Sequence, residues 1–318
     1  MATAVSTARL SRAAVRVNLD RLIRIAIRDR YLYLMMLPPA LYFLVFAYIP
    51  MYGLTLAFKD FDISKGIMGS PWVGLKYFEE FFRNPYSYKL IYNTIMLRIW
   101  HLAFGFPAPI VLALLLNEIR RDWFKRVVQT ASYLPHFISL VVVCSMVVSF
   151  LSSDGILNQL VKALGGKPQP WLQLPQYFRP IWLISGIWQD AGWASVIYLA
   201  ALTAISPELY EAAVVDGANR WQRIRHITIP GIMPTVTIMF LLRVGQLLAV
   251  DFQKVLLLYT PTTYETADIL GTYIYRRGII GADFSFATAV GLFQALVGLV
   301  FIIGSNWLAK KLGQVGLW

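Results

Sequence analysis

Apolar residues in this chain do not alternate with polar ones. They run on in six long blocks, separated by shorter polar stretches. A helix crossing a hydrocarbon layer of about 30 Å needs about 20 such residues, each rising about 1.5 Å. The blocks therefore predict spanning helices over 34–58, 92–116, 130–151, 180–204, 233–258 and 286–308. Pro38, Pro39 and Pro50 interrupt the first, and Pro107 and Pro109 the second. Prolines are tolerated in such helices because neighbours satisfy the freed carbonyls. The expected fold is all-α: a polytopic membrane protein with six transmembrane helices.

Composition agrees with the pattern. Hydrophobic residues make up 58% of the 318, charged residues only 14%, and mean hydropathy is +0.57. A soluble chain carries about 25% charged residues, so lipid is the solvent for much of this one. The net charge of +12 sits in short segments between the blocks, which fits membrane orientation and not nucleic-acid binding. Arginines at 9, 12, 16, 21, 24, 28 and 30 give a basic arm over 1–30, read as a retained cytoplasmic, partly amphipathic segment. With that arm inside, Arg120, Arg121, Lys125, Arg126, Arg220, Arg223, Arg225, Lys310 and Lys311 fall on the same side. The basic residues of the opposite loops are spread out and diluted by acids. The bias predicts both termini in the cytoplasm. Cys144 has no partner for a disulfide, and His101, His136 and His226 lack ligand spacing, so no metal site is expected.

One inward loop, 205–234, is long for a plain connection between spans. Ser206 followed by Pro207 is a helix start, Glu208 and Glu211 suit its first turns, and Leu209, Ala212, Ala213 and Val215 give it a small apolar face. Gly217 ends it, a second short helix follows over 220–227, and Pro230 and Pro234 close the loop. Glu211-Ala212-Ala213, three residues, Gly217, nine residues, Ile227, one residue, Ile229 and Pro230 resemble the EAA loop of ATP-binding-cassette importer permeases. The single departure is Ile229, where leucine is usual. The stretches QTASYLPHFISLVVV, GIWQDAGWASVIYLAAL and LLYTPTTYETADILGTYIYRRGI are similar to the carbohydrate-uptake branch, above all to LplB-type permeases of pectin- and alginate-oligosaccharide importers.

The resemblance implies a permease domain over 31–318 in a bacterial cytoplasmic membrane. It implies a second homologous permease, two ATPase subunits and an extracytoplasmic binding protein as partners. Glu211, Ala212, Ala213, Asp216, Gly217, Ile227 and Pro230 are the expected ATPase-coupling residues. The chain has no Gly-rich phosphate loop of its own, so it binds no cofactor, and ATP with magnesium belongs to the partner ATPase. The chain is expected to be a transport subunit and not an enzyme. The alternative, a stand-alone secondary transporter or channel, would leave the EAA loop without a task.

A charge at the bilayer centre costs about 2.5–3.5 kcal/mol on insertion scales, so each needs an account. Asp190 and Arg243 both fall near mid-membrane. Two readings stand: a structural Asp190–Arg243 pair, or a substrate pathway that also includes Trp188, Trp193 and Gln246. Aromatic faces would stack on sugar rings, and Arg243 could meet a uronate carboxylate. Asp251 and Lys254 are read as rim contacts, and Arg98 as snorkelling to the outer interface. The aromatic segment 70–88 is read as interfacial or as a docking surface, with Arg276 and Arg277 as further docking candidates.

Overall fold

The computed structural model describes residues 28–245, 248 and 250–311. The basic arm read over 1–30 lies outside these apart from its last three residues, and Gln246 lies outside as well. The chain divides after Thr55 into two units. The described part of the first is helical: Arg30–Phe43 (α1) runs into a wide π turn, Leu44–Tyr48, and then a tighter helix, Ile49–Phe58, which reaches just past the division.

The second unit is a helical bundle. A short helix, Lys76–Arg83 (α2), precedes Pro85–Trp100 (α3), which continues through a π turn, His101–Gly105, into Pro107–Asn117 (α4). Asp122–Tyr133 (α5), Leu140–Leu151 (α6) and Ile156–Ala163 (α7) follow. The 29-residue Pro175–Thr203 (α8) bends by 69° into Pro207–Val215 (α9). Arg220–Gly245 (α10) is one continuous rod of 26 residues. Phe252–Leu258 (α11) and short turns lead to Phe284–Lys311 (α12). Among the described residues five helices are long and apolar enough to cross a membrane, six when α8 and its bent continuation are taken together, which makes this a multi-pass membrane protein.

Local chemistry explains many of the ends. Asn84 accepts from the Tyr86 N–H at 3.0 Å with Pro85 in the first helical position, the start α3 needs. π turns end two residues before Pro50, before Pro107 and before Pro230. A proline lacks the N–H that would bond one turn back. Widening the preceding turn re-routes the ladder, as where Phe106 N–H reaches His101 O at 2.7 Å.

Two spans depart from the hydropathy reading. The third is not continuous over 130–151. The chain breaks at Pro135–Ser139, where Ile138 and Ser139 are extended and Ser139 Oγ caps the new helix, and the apolar helical stretch is Leu140–Ala163. The fifth is not one helix as far as Leu258: its described helical residues end at Gly245, and Phe252–Leu258 is a separate helix. Asp251 is extended and caps a separate helix by accepting from Gln253 N–H at 3.1 Å. Pro230 and Pro234 do not close the loop either; both lie within α10.

Three apolar clusters hold the second unit. One joins Leu97, Cys144, Phe178, Trp182 and Val255 from α3, α6, α8 and α11. Another joins Tyr77, Phe81, Leu90, Phe286 and Val290. The third joins Ala113, Tyr198, Leu202 and Ile232, binding α4, α8 and α10 together. The aromatics of segment 70–88 divide: Tyr77 and Phe81 are buried in the core, with Phe81 5.7 Å from Phe293, while Phe82 and Tyr88 are exposed. Trp72 remains exposed. Gly192 makes the tightest crossing, since a Cβ there would lie 1.9 Å from Ser132 O, so α8 rests on the backbone of α5.

Candidate functional site

At one end of the bundle, α9 forms as the sequence predicts. Ser206 Oγ accepts from Glu208 N–H at 3.3 Å, and Pro207 occupies the first turn. The far end of α9 closes as a Schellman motif: Gly217 N–H reaches Val214 O at 3.1 Å and Ala218 N–H reaches Ala213 O at 2.8 Å. Gly217 takes φ +77°, with nothing within 4 Å of a Cβ, so backbone conformation alone demands glycine there. Asp216 caps the helix C-terminus. None of the residues of α9 is buried, and Val215 is 87% exposed. Glu211 and Ala212 face solvent, Ala213 and Ile227 are half-buried, and Pro230 is exposed.

After the glycine, Asn219 and Gln222 cap the start of α10 reciprocally, with Asn219 N–H donating to Gln222 Oε1 at 2.7 Å and Gln222 N–H to Asn219 Oδ1 at 2.9 Å. Tyr210 and Thr228 hydroxyls lie 3.0 Å apart across the loop. Ile205 fills the space beside Gly231, where a Cβ would meet its side chain at 2.6 Å.

Deeper in the bundle, α3, α4, α8 and α10 enclose a chamber of two adjoining compartments. The larger, 420 Å³, is lined by Phe106, Trp193, Tyr198 and Met239 among others. The smaller, 250 Å³, is lined by Arg98, Trp182, Asp251 and Lys254. His101, Gly186, Asp190 and Arg243 face both. Arg98 is 6% exposed and Lys254 5%. Gly186 gives Lys254 room, since a Cβ there would stand 3.1 Å from Nζ. His101 Nδ1 and Trp182 Nε1 are buried without a hydrogen-bond partner among the described residues. The chamber therefore carries three cationic side chains and two carboxylates.

Asp190 and Arg243 do share this chamber, but they are not paired with each other. The Asp190 carboxylate meets His136 Nδ1 at 3.0 Å, and the His136 ring stacks on Trp193 at 5.2 Å, 4° from parallel. Trp188 does not join them. Two positions along a helix are about 200° apart, and Trp188 turns to an apolar groove lined by Met146, Phe150 and Ile184.

Arg98 and Lys254 also overturn their expected places. Arg98 lies 13 residues into α3, buried at 6% exposure and facing the chamber one turn before His101. Asp251, extended, opens a separate helix that brings Lys254 to the chamber instead of the rim. Sequence reasoning passed over His136, although its position beside a proline break could have singled it out.

The opposite end of the bundle is closed by a buried polar network. Asp268, 0% exposed, accepts from Arg276 at 2.6 Å, Tyr86 at 2.5 Å and Thr272 at 2.7 Å. Asn93 Nδ2 donates to the carbonyls of Glu265 and Asp268, both at 3.0 Å, while Arg179 donates to Asn93 Oδ1. Arg277 pairs with Glu80 and with Asp283. Both arginines expected to dock a partner are thus engaged internally, where each neutralises a carboxylate.

Comparison with known proteins adds a lineage. Residues 105–314 match the family described as binding-protein-dependent transport system inner membrane component. Protein LplB of Bacillus subtilis is 44% identical over 291 residues, covering 91% of this chain and 92% of that one. The polygalacturonan/rhamnogalacturonan transport system permease protein YteP of the same organism is 45% identical over 299 residues, 94% and 93% of the two chains. A chain in the crystal structure of a bacterial alginate ABC transporter, in complex with an alginate pentasaccharide-bound periplasmic protein, aligns with a TM-score of 0.87 at 44% identity. It covers 93% of this chain and 100% of its own.

Proposed function

From the premise that this chain belongs to the binding-protein-dependent transport system inner membrane components, we propose that it carries acidic oligosaccharides through the chamber, driven from α9. The chain is a permease component of an ATP-binding-cassette importer. The observation that carries the coupling reading is α9 itself: a capped helix with no buried residue, bent 69° from a spanning helix, bearing the EAA spacing.

An exposed apolar helix ending in a left-handed glycine is built to seat in a groove of another protein. The occupant of that role is an ATPase subunit, which holds ATP and magnesium. Glu211 and Asp216 offer it carboxylates, and Leu209, Val214 and Val215 offer apolar contact. The full assembly in this reading has a second homologous permease, two ATPases and a binding protein in the bacterial inner membrane. The α9 end and both termini face the cytoplasm, and the Asp268 end faces the binding protein.

The chamber suits a sugar with carboxylate groups. Trp193 presents a ring for a pyranose face, and Asp190 accepts from hydroxyls. Arg98, Arg243 and Lys254 outnumber Asp190 and Asp251, so an anionic cargo lowers the electrostatic cost of the empty site. The names of YteP and of the alginate transporter, both tied to uronate polymers, point the same way.

The test is uptake by vesicles carrying the assembled importer. Glu211→Lys and Gly217→Asp should leave the protein inserted while ATP hydrolysis no longer drives uptake. Unchanged uptake in either would sink the coupling role, and purification without a second permease and an ATPase would sink the assembly.

A further inference from the structure

The walls of the chamber and the loop that is to move them are not all joined by the chain. Helix α8 leads into α9 and α10 leads out of the loop, so both feel its movement through covalent bonds. Helix α4, which continues from the chamber residues His101, Gly105, Phe106 and Pro109, has no such connection. It packs on α8 and α10 through Ala113 and Ile232, and among the described residues its end is hydrogen-bonded to the loop by one pair of residues 102 positions apart. Arg220 Nε donates to the Glu118 carboxylate, and Arg220 Nη2 donates to the Glu118 carbonyl at 3.3 Å.

The placement of both residues is informative. Glu118 is the C-terminal cap of α4, its N–H turned back to Leu114 O at 3.3 Å and Leu115 O at 3.2 Å. The negative end of that helix dipole, with its open carbonyls, favours a cation. Arg220 is the first residue of α10, where the positive end of its own helix disfavours a cation. Its own helix gives no reason for arginine at this position. Capping α4 does.

We infer that Glu118 and Arg220 form a clasp that recruits the second span to the movement of the α9 loop, so that all three chamber walls shift together. They are positioning residues; neither lines the chamber. The inference rests on the reading of α9 as the ATPase-seated element.

The experiment uses the complete importer, with its partner permease, ATPases and binding protein, in sealed vesicles. Glu118→Gln and Arg220→Gln should each lower sugar taken up per ATP hydrolysed by about fivefold, the lower end of typical intersite coupling. ATP hydrolysis, copurification and melting midpoint should hold. The double exchange Glu118→Arg with Arg220→Glu should restore the ratio, because it puts a cation at the C-terminus of α4 and an anion at the N-terminus of α10, as both dipoles prefer.

Single variants that keep the ratio overturn the clasp, as does an exchange that fails to restore it. Loss of ATPase copurification would make Arg220 a contact of the ATPase, and a midpoint falling in step with uptake would make the pair merely structural; each overturns it too. Glu211→Lys in the same vesicles separates the two layers. If that variant stays coupled, the reading of α9 fails; if it uncouples while Glu118→Gln does not, only the clasp fails.

Discussion

The two ends of the bundle are held by opposite means. At one, Asp268 is wholly buried and takes hydrogen bonds from Arg276, Tyr86 and Thr272, while Asn93 ties the same turn to Arg179 of α8. At the other, α9 buries no residue, and the bonds described around it are caps, one hydroxyl contact and one surface ion pair. Burial makes each polar contact at the first end costly to lose, whereas water can replace most of those at the second. One end is built to stay and the other to be handled.

That contrast can be broken by substitution. Asp268→Ala should have the largest effect: it leaves Arg276 uncompensated, a loss of about 3–5 kcal/mol, read as a collapse of the melting midpoint of the purified permease. Arg243→Gln should come next, in function and not in stability. It should lower uptake of an acidic oligosaccharide by about tenfold, in line with about 1.5–3 kcal/mol for a charged hydrogen bond, while a neutral one of equal length is spared. Equal losses for both would make Arg243 structural. Gly217→Ala should cost about 1–2 kcal/mol for a side chain at positive φ, visible as a modest drop in midpoint. Val215→Ser should change stability by no more than about 0.5 kcal/mol, leaving the midpoint nearly in place, yet weaken copurification with the ATPase. A midpoint that falls as far as for Asp268→Ala would erase the distinction between the ends.

Local signals were legible in the sequence. Ser206, Pro207 and Gly217 fix α9 through their own backbone chemistry, and the structure forms it as those residues require. Apolar blocks located the spans, because length and hydropathy are properties of the segment alone. What failed depended on breaks or on distant partners. The run 247–250 is apolar, so hydropathy does not mark the separate helix that Asp251 opens or the inward turn of Lys254. Arg98 faces the chamber and not the outer interface because the packing of α3 against α8 buries it, which its position in the sequence does not reveal. The partner of Asp190 is a histidine 54 residues earlier in the chain, brought close by the backbone contact at Gly192. Pairing of that kind is a property of packing and leaves no trace in spacing.

Helix α10 has a mechanical consequence of its own. Its 26 residues make a rod about 39 Å long at 1.5 Å per residue, with Arg220 at one tip and Arg243 near the other. A tilt of about 5° at the Arg220 tip then swings the opposite tip by about 3 Å over that length, close to the diameter of a water molecule. In the proposed coupling, a small thrust on the Arg220 tip would suffice to widen or pinch the chamber at Arg243.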